Sequence, residues 1–241
     1  MYLTRFRFNT ARAGARRLLT SPQAVHAAVM SAYHGLLPSS PGDASRVLWR
    51  LDRNARAEVM LFMVGTERPD LTHLVEQAGW PAAAASGTRG WQTYGYAPFL
   101  DRLTKGGVWA FRLTANPVHS IRNRDGAPLK RTAHVTARHQ LGWLLERQER
   151  SGFRIAAKRE DRRTLDSGDE YEAVVSDRRN LVFAKGGSGA ERKGQVSLVT
   201  VTFDGRLEVT DPDALRHVLT RGLGKAKAYG CGLMTLAPAG R

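Results

Sequence analysis

Gln195-Val-Ser-Leu-Val-Thr-Val-Thr-Phe203 is the most strand-like run in the chain. Val196, Leu198, Val199 and Val201 break strict alternation, as a strand covered on both faces does, so a central strand is expected. Asp204-Gly205 then reads as a turn, and Asp211-Pro212 opens a helix running to about Arg221. The glycine-rich stretch Gly222-Leu-Gly-Lys-Ala-Lys-Ala-Tyr-Gly-Cys-Gly-Leu233 leads into a last strand, Leu233 to Leu236. Upstream, Val108 to Ala115 reads as a strand. Ala137 to Glu149 reads as a helix with Leu141, Leu144 and Leu145 at helical spacing, and Glu172 to Ser176 and Asn180 to Ala184 read as extended. The order strand, helix, strand, strand, helix, strand is that of a ferredoxin-like unit.

The first half repeats most of that order. Tyr2-Leu-Thr-Arg-Phe-Arg-Phe8 alternates, with Arg5 and Arg7 on the face opposite Phe6 and Phe8. A loop, Asn9 to Thr20, carries Arg12, Arg16 and Arg17. Ser21-Pro22 begins a helix to about Tyr33, with Val25, Val29 and Ala32 on one face and His26 and Met30 on the neighbouring stripe. Strands Val47 to Leu51 and Glu58 to Val64 flank a polar turn, and Leu71 to Gln77 is a short helix closed by Gly79. The sixth element does not stand out in Ala82 to Gly90. The expected fold is α+β, tandem ferredoxin-like domains with antiparallel sheets: residues 1–90 bearing His26, a linker 91–107, and residues 108–241 ending in the glycine-rich motif. A doubly wound sheet fits less well, because its helices would alternate with nearly every strand.

Lysine and arginine number 37 against 22 acids, a formal charge of +15 with a pI near 10.8. Such a surplus draws polyanions. There is no run of about 18 apolar residues and no signal-like start, so a cytoplasmic protein without membrane association is expected. The single cysteine, Cys231, allows no internal disulfide. His119, His134 and His139 lack ligand spacing with carboxylates or Cys231, so no metal is expected; His34, His73 and His217 read as surface or helix-end residues. Lys158, Arg159, Arg162 and Arg163 form a basic run with two readings, solvated charge or phosphate contact. The glycine stretch also has two readings. It is a turn into the last strand, or a cradle in which Gly222, Gly224, Gly230 and Gly232 bring backbone N–H groups to a phosphate while Lys225, Lys227 and Tyr229 flank it. Neither the Walker order nor the dinucleotide fingerprint is present. The spread of cations along the chain favours a long polyanion over a small phosphate metabolite.

The glycine stretch, Met1-Tyr-Leu, His26 on the first helix and Lys130-Arg-Thr-Ala-His-Val-Thr136 together resemble the CasE family of CRISPR precursor-RNA endoribonucleases, over essentially the whole chain. The resemblance implies two ferredoxin-like domains and a CRISPR repeat hairpin as substrate. It also implies metal-independent cleavage through the 2′-hydroxyl with no small-molecule cofactor, retention of the product, and other Cascade subunits as partners. His26 matches the family's catalytic histidine. The family can carry a tyrosine one helical turn earlier, where Gln23 stands here, and a lysine near the helix end, where Ser31 or its neighbours stand. Tyr33, Arg16, Arg17 and Lys225 are the alternatives as partners of His26, and a catalytically weak RNA-binding subunit is the alternative function.

Overall fold

The alternation of the first residues forms strand β1, Tyr2–Phe8, burying Thr4, Phe6 and Phe8 and exposing Arg5 and Arg7. The computed structural model describes residues 1–33, 47–54, 58–80, 90–121, 130–165, 168–184 and 195–240. His34 therefore lies outside the described residues. Two units are distinguished: Met1–Arg102 with Thr220–Gly222 and Ala226–Leu233, and Leu103–Leu219 with Leu223–Lys225 and Met234–Arg241.

In the first unit β1 is followed by helices α1, Ala13–Leu19, and α2, Pro22–Met30, strands β2, Leu48–Arg53, and β3, Val59–Gly65, helix α3, Thr72–Ala78, strand β4, Trp91–Gly95, and the short helix α4, Ala97–Leu100. The antiparallel sheet has the order β2-β3-β1-β4. Phe6, Val25, Val29, Leu61, Leu71 and Leu74 form the centre of the core beneath the helices. Two elements differ from expectation. The loop expected at Asn9 to Thr20 contains α1, whose Ala15, Leu18 and Leu19 follow helical spacing. Gly14 fits there because a Cβ would run into the carbonyl of Gln77. The sixth element, not legible in the sequence of Ala82 to Gly90, is Trp91–Gly95, where Phe6 pairs with Trp91 and Leu3 with Tyr94; residues 82–89 lie outside the described residues.

The second unit contains β5, Val108–Ala115, a hairpin of β6, Val118–Ile121, and β7, Lys130–Ala133, helix α5, Ala137–Gln148, and strands β8, Phe153–Ile155, β9, Ala173–Ala184, and β10, Gln195–Val209; helix α6, Pro212–Arg221, precedes β11, Met234–Pro238. Its main sheet runs β11-β5-β10-β8, with β9 also paired to β10. If β4-β1-β3-β2 is written as fourth, first, third, second, β11-β5-β10-β8 repeats it. The turn expected at Asp204-Gly205 is absent, and β10 passes straight through. Asp204 there accepts from Arg112 Nε at 2.6 Å, and a Cβ on Gly205 would meet the carbonyl of Glu172, just before β9. Glycine here permits close approach of strands instead of a reversal. At the other end, Asp211 Oδ1 accepts from the amides of Asp213 at 2.9 Å and Ala214 at 3.1 Å, capping α6.

Candidate active site and nucleic-acid interface

His26 lies in the second turn of α2, half-buried. The indole of Trp49 on β2 donates from Nε1 to His26 Nδ1 at 3.3 Å. An indole N–H can only donate, so Nδ1 is the acceptor and the neutral ring carries its proton on Nε2. Burial holds the His26 pKa below its ordinary value of 6.5. Protonating Nδ1 would also set two donors face to face. The resting side chain is thus a neutral imidazole of one tautomer, with Nε2–H as its remaining polar group.

The glycine stretch supports this arrangement from behind. Lys227–Tyr229 forms a single 3-10 turn packed against α2 and β2. Gly230, with φ of 80°, follows it, and a Cβ there would stand 2.7 Å from the Trp49 ring. Gly222 has φ of 78° and Gly232 φ of 90°, and a Cβ on Gly222 would stand 2.8 Å from the Leu48 side chain. Gly224, in the second unit, has φ of 81°, and its Cβ would stand 3.0 Å from Trp143. At Gly222, Gly224 and Gly230 the missing side chain therefore makes room for this chain's own residues. Of the two sequence readings of this stretch, a turn into the last strand and a cradle for phosphate, these contacts belong to the first. Ala226 takes φ of 60° without being glycine, a conformation that costs about 1–2 kcal/mol.

Arg50, missed in the sequence, anchors the end of the same stretch. Its side chain is 1 % exposed and pairs with Asp52 through Nε to Oδ1 at 2.6 Å and Nη2 to Oδ2 at 2.9 Å, while Nη1 donates to the Leu233 carbonyl at 2.9 Å. A buried guanidinium needs such a complete set of acceptors. Cys231 is fully buried, and burial pushes its thiol up to about 12, so it packs as a small apolar group.

The cations separate by what they touch. Arg12 donates to the carbonyls of Val75 at 3.1 Å, Gly79 at 3.3 Å and Glu76, closing the C-terminus of α3. Arg16 bonds the Ala11 carbonyl at 2.6 Å, and Arg17 is exposed on α1. In the second unit Lys158 is paired with Asp169, whose carboxyl is held to about 2 by that ammonium and by Thr164. Arg159 pairs with Asp161 at 3.1 Å, and Arg162 and Arg163 are exposed around a 3-10 turn, Glu160–Arg162. Lys225 is exposed, whereas Lys227 and Tyr229 are half-buried. Gln23 lies one turn before His26. Tyr33 is 7 % exposed, and burial and Glu67 raise its phenol above the ordinary range, which disfavours it as a proton carrier near neutral pH.

Two antiparallel sheets of the same strand order, a neutral histidine beside a glycine-rich turn and a strongly basic chain define an α+β protein suited to a polyanionic ligand. A family model described as CRISPR associated protein matches residues 1–238. The CRISPR-associated endoribonuclease Cse3 of Thermus thermophilus is 34 % identical over 240 residues, covering 99 % of this chain and 100 % of that protein. Cse3 bound to a 19-nucleotide RNA has the same fold, with a TM-score of 0.74 at 29 % identity over 99 % of this chain and 100 % of that one. Thermus thermophilus Cse3 bound to an RNA representing a pre-cleavage complex gives 0.71 at 29 % identity over 98 % of both. The chain belongs to the CRISPR-associated CasE (Cse3) family of endoribonucleases. Its two units are the tandem ferredoxin-like domains of that family. No helix among the described residues is long and apolar enough to cross a membrane.

Proposed function

We propose that this protein is a cytoplasmic endoribonuclease that cleaves CRISPR precursor RNA at repeat hairpins and keeps the mature guide within a Cascade complex. The observation that carries the reading is His26, fixed by Trp49 beside the glycine-rich turn, in a chain matched end to end by an endoribonuclease. The 2′-hydroxyl attacks the adjacent phosphorus, the 5′-oxygen leaves, and a 2′,3′-cyclic phosphate remains. The nucleophile belongs to the substrate, so the protein's tasks are to move protons, stabilise the phosphorane charge and align the reacting atoms. In the resting tautomer His26 offers Nε2–H to a phosphate oxygen; with Nδ1 released from Trp49 the ring takes a proton there from water and passes Nε2–H to the departing 5′-oxygen, while the 2′-hydroxyl proton leaves to water. Lys227, on the turn packed against α2, supplies positive charge for the phosphorane. Arg17, Arg162, Arg163 and Lys225 hold phosphates, while Arg12 shapes the fold that presents them.

Cleavage of a repeat hairpin, with and without chelator and with a single 2′-deoxy sugar at the cut position, tests this reading. Chelator is expected to leave the rate unchanged, the deoxy sugar to abolish cutting, and the upstream product to end in a cyclic phosphate. Cutting of the deoxy substrate would refute the mechanism.

A further inference from the structure

The strands that end the two main sheets differ in how their open edges are protected. An uncovered edge invites another strand, and charge, proline or a bulge normally discourages it. β2 carries Asp52 and Arg53, β8 carries Arg154, and β11 ends in Pro238. β9 carries Arg178 and Arg179 beside Asp177, whose φ of 48° falls where the pairing with β10 shifts register. β4, Trp91-Gln-Thr-Tyr-Gly95, ends the first sheet with no charge, no proline and no shift of register. Just beyond it, the Tyr96 amide donates to the Met1 carbonyl at 3.0 Å. Antiparallel pairs alternate, so Leu3–Tyr94 and Arg5–Gln92 are the hydrogen-bonded pairs, and the amides and carbonyls of Trp91, Thr93 and Gly95 point away from β1. Among the described residues no strand pairs with that outer side.

Along this edge, within the first unit, lies a pocket of about 500 Å3 lined by Arg5, Arg7, Met60, Trp80, Trp91 and Gln92, among others. Its size is within the roughly 300–1,000 Å3 of ligand sites. Trp80 is 42 % exposed, and the Arg7 guanidinium lies over its ring at 5.0 Å. Arg7 is paired with Glu58 at 2.5 Å, whereas Arg5 donates to the neutral amide oxygen of Gln92. Among the described residues the pocket thus offers one uncompensated guanidinium beside two indoles and a thioether. An RNA strand brings a charge with every phosphate and calls for several cations; one guanidinium matches one carboxylate. Arg5 and Arg7 also stand on the face of the sheet opposite Phe6 and Phe8, which pack with Val25 and Val29 of α2. A substrate at His26 therefore lies on the other side of this sheet.

We propose that this edge and pocket dock an extended segment of another Cascade protein subunit, which pairs with the outer side of β4 and places a large apolar side chain in the pocket and a carboxylate against Arg5. This docking rests on the Cascade membership proposed above and gives it a face. Main-chain bonds to Trp91, Thr93 and Gly95 supply affinity, and the alternate side chains that enter the pocket supply selectivity. An apolar residue and an acid two positions apart on such a strand reach the same side. Trp80, Trp91 and Arg5 are of the residue types that anchor protein interfaces.

The test uses the other Cascade protein subunits assembled on a guide cut short before the repeat hairpin, so that no RNA joins the two sides. Binding is measured for the wild type and for Arg5→Gln with Trp80→Ala, together with amide hydrogen exchange of the wild type free and bound. The variant is expected to bind the assembly about tenfold more weakly and to keep wild-type affinity and cleavage rate on repeat hairpin RNA. Exchange at Trp91 and Thr93 is expected to slow on binding, while the amides of Gln92 and Tyr94, already bonded to β1, change little. Equal binding by variant and wild type would overturn the proposal, as would unchanged exchange at Thr93. Lost hairpin affinity in the variant would assign the face to RNA, and protection of Thr93 that grows with the concentration of the free protein would assign it to a second copy; either overturns the proposal. The exchange measurement needs no substitution, so it decides the matter even if the variant unfolds. A wild type that joins no assembly, on the short or the complete guide, refutes Cascade membership as well; binding through the complete guide alone removes only this docking face.

Discussion

The two ferredoxin-like units share one strand order and both carry exposed arginines, Arg17 among those of the first, but they differ in where their other cations go. In the first, Arg50 is sealed between Asp52 and the Leu233 carbonyl and Arg12 closes α3, so these guanidinium groups hold structure together. In the second, Arg162, Arg163, Arg150 and Lys225 remain at the surface. Fold alone does not distribute these roles; the side chains that each unit carries do. The first unit is accordingly read as the place of chemistry, around His26, and the second as a place of grip.

The sharpest way to break that division is His26→Ala. Its single-turnover rate on repeat RNA is expected to fall about 10²-fold or more, with affinity kept within a few-fold. Gly230→Ala comes next: a left-handed backbone and a Cβ 2.7 Å from Trp49 should cost about 3 kcal/mol, read by denaturant unfolding. Gly106→Ala is the control, since φ of 82° with nothing within 4 Å should cost only about 1–2 kcal/mol. If the two glycines cost the same, the glycine stretch does not brace Trp49.

Smaller effects sharpen the comparison. Replacing Arg162 and Arg163 by alanine should weaken RNA binding several-fold and lower the salt slope by about one to two, with the chemical rate at saturation unchanged. Trp49→Phe should raise the His26 pKa toward 6.5, seen by NMR titration, and shift the pH–rate profile upward, because the donor opposing a proton on Nδ1 is gone. The sign for stability follows from the same depression. The folded ring resists the proton that the unfolded chain accepts near 6.5, so stability is present above that pH and declines below it. His26→Gln should flatten that decline.

Much of the fold was legible because its strands carry clear patterns. The alternation of Tyr2–Phe8 and the apolar run Val108–Ala115 appear at the expected positions. Trp91–Gly95 did not, since an edge strand with exposed Gln92 and Tyr94 buries too little to leave a pattern. Asp204-Gly205 misled for a different reason: a turn signature and a close strand contact both call for glycine, and only the neighbouring Glu172 carbonyl separates them. At the site, His26 could be named from resemblance, but Trp49 and Arg50 could not. Their roles depend on contacts with residues 23 and 183 positions away in the chain.

The measurement that bears most directly on the division of labour is a double-mutant cycle between His26→Ala and the Arg162→Ala, Arg163→Ala pair, reading affinity and single-turnover rate in each protein. Independent effects are predicted, with rate lost through His26 and affinity through the arginines, and neither change altering the other. A His26→Ala protein that loses affinity as steeply as rate, or that cleaves at the wild-type rate, would contradict the account.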